Sequence, residues 1–259
     1  MACSVAIWAI RWKCPFSRQL SFVTSVCHCS VNFQTIKTTT AVSSAEDPWP
    51  LLRNSIFDRP RPLHLIVHGR PGGFVESCLM DLASSLRSRR GSSVVVEALT
   101  ADSLPITSSK SAWLIPLFLL PGHHVRHDVP LVRDRLHDLG VKVNLLPFLG
   151  AWYSWNRLLL EFLTSKVCHG PVALIHHPIR HRLGDRYISS LKQFLKTQMI
   201  PFENWNSYDL LTKKQYYPIP LALAPNHMAD SMNEFDGISS LLEIDFLYVS
   251  LANLLMALP

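Results

Sequence analysis

From about Pro62 onward the chain alternates short, wholly apolar runs with longer stretches in which apolar side chains recur every three or four positions. That rhythm predicts strands alternating with helices, the pattern of a doubly wound α/β fold. Leu63–Val67 reads as a buried strand and Glu76–Arg90 as a helix carrying Leu79, Leu82 and Leu86 on one face. Val94–Leu99 is strand-like, Ala112–Leu120 a strongly apolar central strand, and Val125–Leu139 a helix. Val141–Pro147 follows as a strand and Trp155–Lys166 as a helix.

The pattern then begins again. Leu174-Ile-His-His177 aligns with Leu65-Ile-Val-His68, and Ile188, Leu191 and Leu195 fall without a gap on Leu79, Leu82 and Leu86. Further on, Pro220-Leu-Ala-Leu-Ala-Pro225-Asn-His-Met228 falls on Pro116-Leu-Phe-Leu-Leu-Pro121-Gly-His-His124. Together these matches predict an internal duplication. The expected organisation is an N-terminal lobe over 62–168 and a C-terminal lobe over 169–259, each a mainly parallel sheet flanked by helices, with a cleft between them. Ligands in such sheets sit beyond the carboxyl ends of the strands.

The stretch before this rhythm has a different character. The first acidic residue is Glu46, and Arg11, Lys13, Arg18 and Lys37 are the only charges ahead of it in a Ser- and Thr-rich segment. Residues 1–45 therefore read as a transit peptide, and 46–61 as a linker. Met1-Ala2 and the hydroxyl-rich composition favour the chloroplast stroma, with the mitochondrion as the alternative. Removing those four cations lowers the formal charge from +6 to +2. What remains has no basic stripe with interleaved aromatics, so no nucleic-acid partner is expected.

Four of the six cysteines (Cys3, Cys14, Cys27 and Cys29) belong to the leader, which leaves Cys78 and Cys168. Two such cysteines form neither a disulfide framework nor a zinc or iron–sulfur set. The apolar runs Ala112–Pro121 and Phe246–Pro259 are shorter than the roughly 18 to 20 residues that cross a bilayer, so no transmembrane segment is expected.

The chemistry concentrates at two strand ends. His68 terminates the first predicted strand, and His124 follows the central strand after a Pro121-Gly122 turn. Both face one crevice. Imidazole binds divalent transition metals and titrates near neutral pH, so one residue type can hold a metal and accept a proton. A helix starting near His124 would place Asp128 on the same face, in reach to orient the ring.

Three segments carry a resemblance: Leu65-Ile-Val-His68-Gly-Arg70, Pro116-Leu-Phe-Leu-Leu-Pro-Gly-His-His124-Val-Arg-His-Asp128-Val-Pro130, and Leu146-Pro-Phe-Leu-Gly150. Together they resemble the sirohydrochlorin chelatase family, with its strand ending in His-Gly-Ser, its Pro-Leu-Phe-Leu-x-x-Gly-x-His-x-x-x-Asp-Ile-Pro segment and its Pro-x-Leu-Gly. The similarity covers about residues 62 to 165, with a weaker echo beyond. It implies two pseudo-symmetric chelatase-like lobes and insertion of a divalent metal into a tetrapyrrole for sirohaem synthesis. The metal is a substrate, Fe²⁺ as expected ion or Co²⁺ as its alternative, and no organic cofactor takes part. His68 and His124 would hold the metal and accept the pyrrole protons, with Asp128 behind His124. Arg70 and Arg126 are expected to bind the substrate carboxylates. Trp152, Tyr153 and Trp155 offer surfaces for a flat macrocycle or for the core.

The sequence departs from the family pattern at Arg70, His127 and Trp152, and in the short Ser-rich link from Glu97 to Ala112. A tetrapyrrole- or metal-binding carrier or regulator without turnover is the alternative these departures motivate. In the second half His177 keeps the first position, but Met228 stands where His124 would recur. One active centre is therefore expected, in a monomer whose duplication supplies both walls of the cleft.

Overall fold

The computed structural model describes residues 60–101, 109–167, 171–179, 181–207, 216–232 and 238–259, all within one compact unit. The expected leader, most of the linker and the expected lobe boundary at residue 168 lie outside the described residues.

The first sheet contains β1 (Leu63–Val67), β2 (Val94–Ala98), β3 (Ser111–Pro116) and β4 (Lys142–Leu145) in the order β2-β1-β3-β4, with all pairs parallel. A strand inside a parallel sheet is covered on both faces, and β1 is buried at every position. Leu63, Leu65 and Val67 point into one apolar layer, which α1 (Ser77–Arg90) covers with Leu79, Leu82 and Leu86. Ile66 points the other way, into a layer built from Ala112, Leu114 and the α3 (Asp128–Asp138) residues Val129, Val132 and Leu136.

The second sheet contains β5 (Val172–His176), β6 (Phe202–Asn204) and β7 (Tyr217–Pro220) in the order β6-β5-β7, again parallel. This repeats β2-β1-β3, and the register repeats as well: Ile66 lies opposite Pro116, and Ile175 opposite Pro220. Leu117 N–H donates to the Ile66 carbonyl at 2.8 Å, and Leu221 N–H to the Ile175 carbonyl at 2.6 Å. These are the residues that the sequence repeat superposes. The sheets share one core, to which Leu65 and Leu174 both contribute. Helix α4 (Tyr153–Val167) leads from the first sheet to the second, and α7 (Asp245–Met256) packs against α1 and α4.

A buried cation ties the end of α7 to this frame. Arg90 is only 6% exposed, and its guanidinium donates to the carbonyls of Leu255, Leu258 and Arg61 at 2.9, 2.8 and 3.0 Å. The last carbonyls of a helix have no partner within it, so one Arg side chain satisfies several at once.

Two elements differ from their sequence-based expectation. The central strand ends at Pro116 rather than Leu120, with one last bond to β1 from Leu117 N–H; Leu117 and Leu119 are buried in the core beyond its end. The helix expected over 125–139 is two helices, α2 (His123–Arg126) and α3, broken at His127. Pro130 has no N–H to donate to the Arg126 carbonyl, so a continuous helix would leave that acceptor unpaired; in the first turn of α3 the proline costs nothing. Among the described residues no helix is long and apolar enough to cross a membrane.

Candidate metal centre

β1 delivers His68 one residue past its C-terminal end. Gly69 follows at φ +74°, where a Cβ would meet Ala98 Cβ at 2.5 Å and Thr100 Oγ1 at 2.6 Å, so this turn requires glycine. His68 is exposed, and its Nδ1 lies 2.6 Å from the Gly69 carbonyl. A carbonyl only accepts, so Nδ1 carries the proton and Nε2 is left with a lone pair.

The chain beyond β3 delivers His124 on the short helix α2. Its Nδ1 lies 2.5 Å from Asp128 Oδ2, and the two side chains are 39% and 32% exposed. The carboxylate favours the same tautomer as in His68, with the Nε2 lone pair again free. The predicted pairing of His124 with Asp128 thus forms across the helix break: His127, at φ −118° and ψ −53°, turns the chain between them.

The two imidazoles meet edge to face, their centroids 4.6 Å apart and their planes at 79°. Phe118 lies nearly parallel to His124 at 6.2 Å. β1 and β3 are hydrogen-bonded neighbours, so adjacent parallel strands place both rings at their carboxyl ends. Two accessible imidazoles with free Nε2 atoms suit a divalent transition ion. Among the described residues no group of three or more His, Cys, Asp or Glu side chains is placed to hold a metal. Close by, His123 and His127 are exposed and stack on each other at 4.4 Å. Burial pushes the Cys78 thiol up, with Glu76 adding to the shift, so it stays protonated and is a poor ligand.

Arg70 is already engaged. It forms ion pairs with Glu76 and, at 3.3 Å, with Asp230 on α6 (His227–Met232), and these carboxylates raise its pKa. The sequence pattern did not signal Asp230, which arrives from the other half of the chain. Arg126 is exposed at the end of α2. Trp152 and Trp155 are core residues, 3% and 0% exposed, whereas Tyr153 is 70% exposed.

The equivalent positions in the second half are built differently. Met228 is buried against Ala173, Ile175 and Ala222, and His177 stands exposed. His176 is buried against Phe202 with ring centroids 4.5 Å apart, and burial lowers its pKa. His181 spends both ring nitrogens on backbone groups: Nδ1 accepts from Gly184 N–H at 2.9 Å, and Nε2 lies 2.7 Å from the Pro121 carbonyl.

The fold is shared with a solved bacterial structure. "SirB from Bacillus subtilis with Fe3+" matches with a TM-score of 0.52 and 13% sequence identity, over 76% of this chain and 93% of that one. The sirohydrochlorin chelatase SirB from Bacillus subtilis subspecies spizizenii in complex with cobalt matches with a TM-score of 0.49 and 13% identity, over 76% of this chain and 95% of that one. No family model and no curated relative matches the sequence.

Proposed function

We propose that this protein is a sirohydrochlorin chelatase that receives a divalent metal, Fe²⁺ or alternatively Co²⁺, between His68 and His124 and inserts it into the macrocycle. The observation that carries this reading is the pair of imidazoles 4.6 Å apart at the ends of neighbouring strands, each with its Nδ1 proton committed elsewhere. The shared fold with SirB supports it.

The chemistry follows from the lone pairs. Two Nε2 atoms hold the ion by two bonds and leave most of its coordination sphere for water and incoming pyrrole nitrogens. As the ion passes to the macrocycle, its bonds to Nε2 break and both lone pairs return. Each then takes one of the two pyrrole N–H protons, so two protons leave the macrocycle for the one dication that enters. Asp128 stabilises the imidazolium formed on His124.

The substrate's carboxylates would be met by Arg126 and by Arg70, which exchanges Glu76 or Asp230 for them. Tyr153 offers an exposed ring to the macrocycle, whereas Trp152 and Trp155 belong to the core. The leader composition supports import into the chloroplast stroma, which imaging of the full chain fused to a fluorescent protein checks against mitochondria. The duplicated halves support a monomer with one site.

Anaerobic metallation of sirohydrochlorin by Fe²⁺ or Co²⁺, followed by absorption, tests the reading. The wild type should exceed the spontaneous rate, and His68→Ala and His124→Ala should lose the excess. A second reading, that of a non-catalytic tetrapyrrole carrier, is favoured by the ion pairs that occupy Arg70. It expects a shifted absorption band on binding and no metal uptake.

A further inference from the structure

We infer that His181, which lies in the second half of the chain, is a positioning residue for His124. The inference rests on the metal-holding role of His124 proposed above. His181 stands at the start of α5 (Arg182–Lys196) in extended backbone, φ −161° and ψ 151°, and its Nδ1 caps the helix by accepting from Gly184 N–H at 2.9 Å. With Nδ1 an acceptor the ring proton resides on Nε2, which donates to the Pro121 carbonyl at 2.7 Å. Pro121 opens the turn that leads, three residues on, to His124. One ring therefore joins the first turn of a second-half helix to the backbone that aims a proposed ligand.

The surroundings are built for this contact. Gly184 is buried, and a Cβ there would lie 2.3 Å from Ile179 Cγ2 and 3.1 Å from the His181 ring, so glycine lets the ring fold against its own helix. From the same helix Tyr187 reaches the Gly150 carbonyl at 2.6 Å, and Gly150 N–H donates to the Phe118 carbonyl at 2.9 Å. Helix α5 thus holds the chain at two strand-end turns, at Pro121 after β3 and at Gly150 after β4. No ligand role is left for His181, because both of its nitrogens are in use.

The two ring functions can be separated by substitution. Asn in place of His181 keeps a capping oxygen for Gly184 N–H but is too short to reach Pro121, whereas Gln extends an N–H donor toward it. Full-length wild type, H181N and H181Q are compared by thermal unfolding, by amide hydrogen exchange over 122–128 and by Co²⁺ titration. The expected result is a fall of only about 2 to 4 °C in the unfolding temperature of H181N, with faster exchange confined to that segment and about tenfold weaker Co²⁺ binding, both recovered in part by H181Q. Wild-type exchange over the segment in H181N overturns the inference, and so does loosening spread evenly over the chain, which marks a cap and nothing more. If the wild type itself binds no Co²⁺, the metal reading fails, and the exchange data still decide whether His181 positions the segment.

Discussion

Asp128 accepts from His124 at 2.5 Å although the helix that would have carried both is broken at His127. An intact helix would place these residues one turn apart at no cost; here the pairing survives a change of direction, and the carboxylate alone fixes which nitrogen of His124 bears the proton. Asp128→Ala should weaken Co²⁺ binding by about 10- to 100-fold, the usual penalty for losing the partner of a ligating imidazole. Titration followed by the visible bands of bound Co²⁺ measures it. An unchanged affinity would mean that His124 needs no orienting group.

Arg70 and Asp230 bring a second consequence. Both are more than a third exposed, so their ion pair adds little to stability, and Asp230→Asn should leave the unfolding temperature where it is. Its effect should appear in substrate binding, because Arg70 then has one competitor fewer for a carboxylate. A lower Kd for sirohydrochlorin, with no change for a macrocycle lacking carboxylates, is the expected outcome in a fluorescence-quenching assay.

Acid should erode the stability of the fold in two stages. Burial lowers the pKa of His176, so its contribution is complete above about pH 6.5 and declines as pH falls below that value. Burial of Glu97 acts to raise its pKa, but bonds from His64 at 2.7 Å and Arg135 at 2.6 Å outweigh it and the net shift is downward. Its contribution is therefore present above about pH 4.3 and lost as pH falls through its lower folded value. Denaturation midpoints at several pH values should show His176→Phe removing the first stage alone. Glu97→Ala at neutral pH should cost about 3 kcal/mol, since it strands His64 and Arg135 beside an apolar sheet.

Gly150 has no room for a side chain: a Cβ would lie 2.0 Å from the Leu119 carbonyl oxygen and 2.9 Å from the Tyr187 hydroxyl. Gly150→Ala should cost about 2 kcal/mol or more by denaturant unfolding, because backbone must move. Tyr187→Phe should cost about 1 kcal/mol. Burial pushes the Tyr187 phenol up to about 12, so tyrosinate absorption should include a late-ionising component that the variant lacks.

Much of this was legible in the residues. Leu63–Val67 and Val94–Leu99 announced themselves as strands because parallel strands are apolar on both faces. His68 and His124 were visible as candidates because each follows such a run. The break at His127 was written in Pro130, but the apolar spacing of Val129, Val132 and Leu136 ran on regardless and masked it. The ion pair of Arg70 with Asp230 was hidden because Asp230 lies far along the chain, and no local pattern encodes that approach. Trp152 and Trp155 gave no sign of which way they faced. The hydroxyl of Tyr187 and the ring of His181 bond to carbonyls, and a sequence cannot advertise an acceptor that every residue possesses.

That last point has a practical edge. Pro121 and Gly150 receive their bonds from α5 through main-chain oxygen, which no substitution deletes. An alanine scan confined to the segments bearing His68 and His124 would pass over this dependence without a signal. A scan of the half that carries neither proposed ligand would find it.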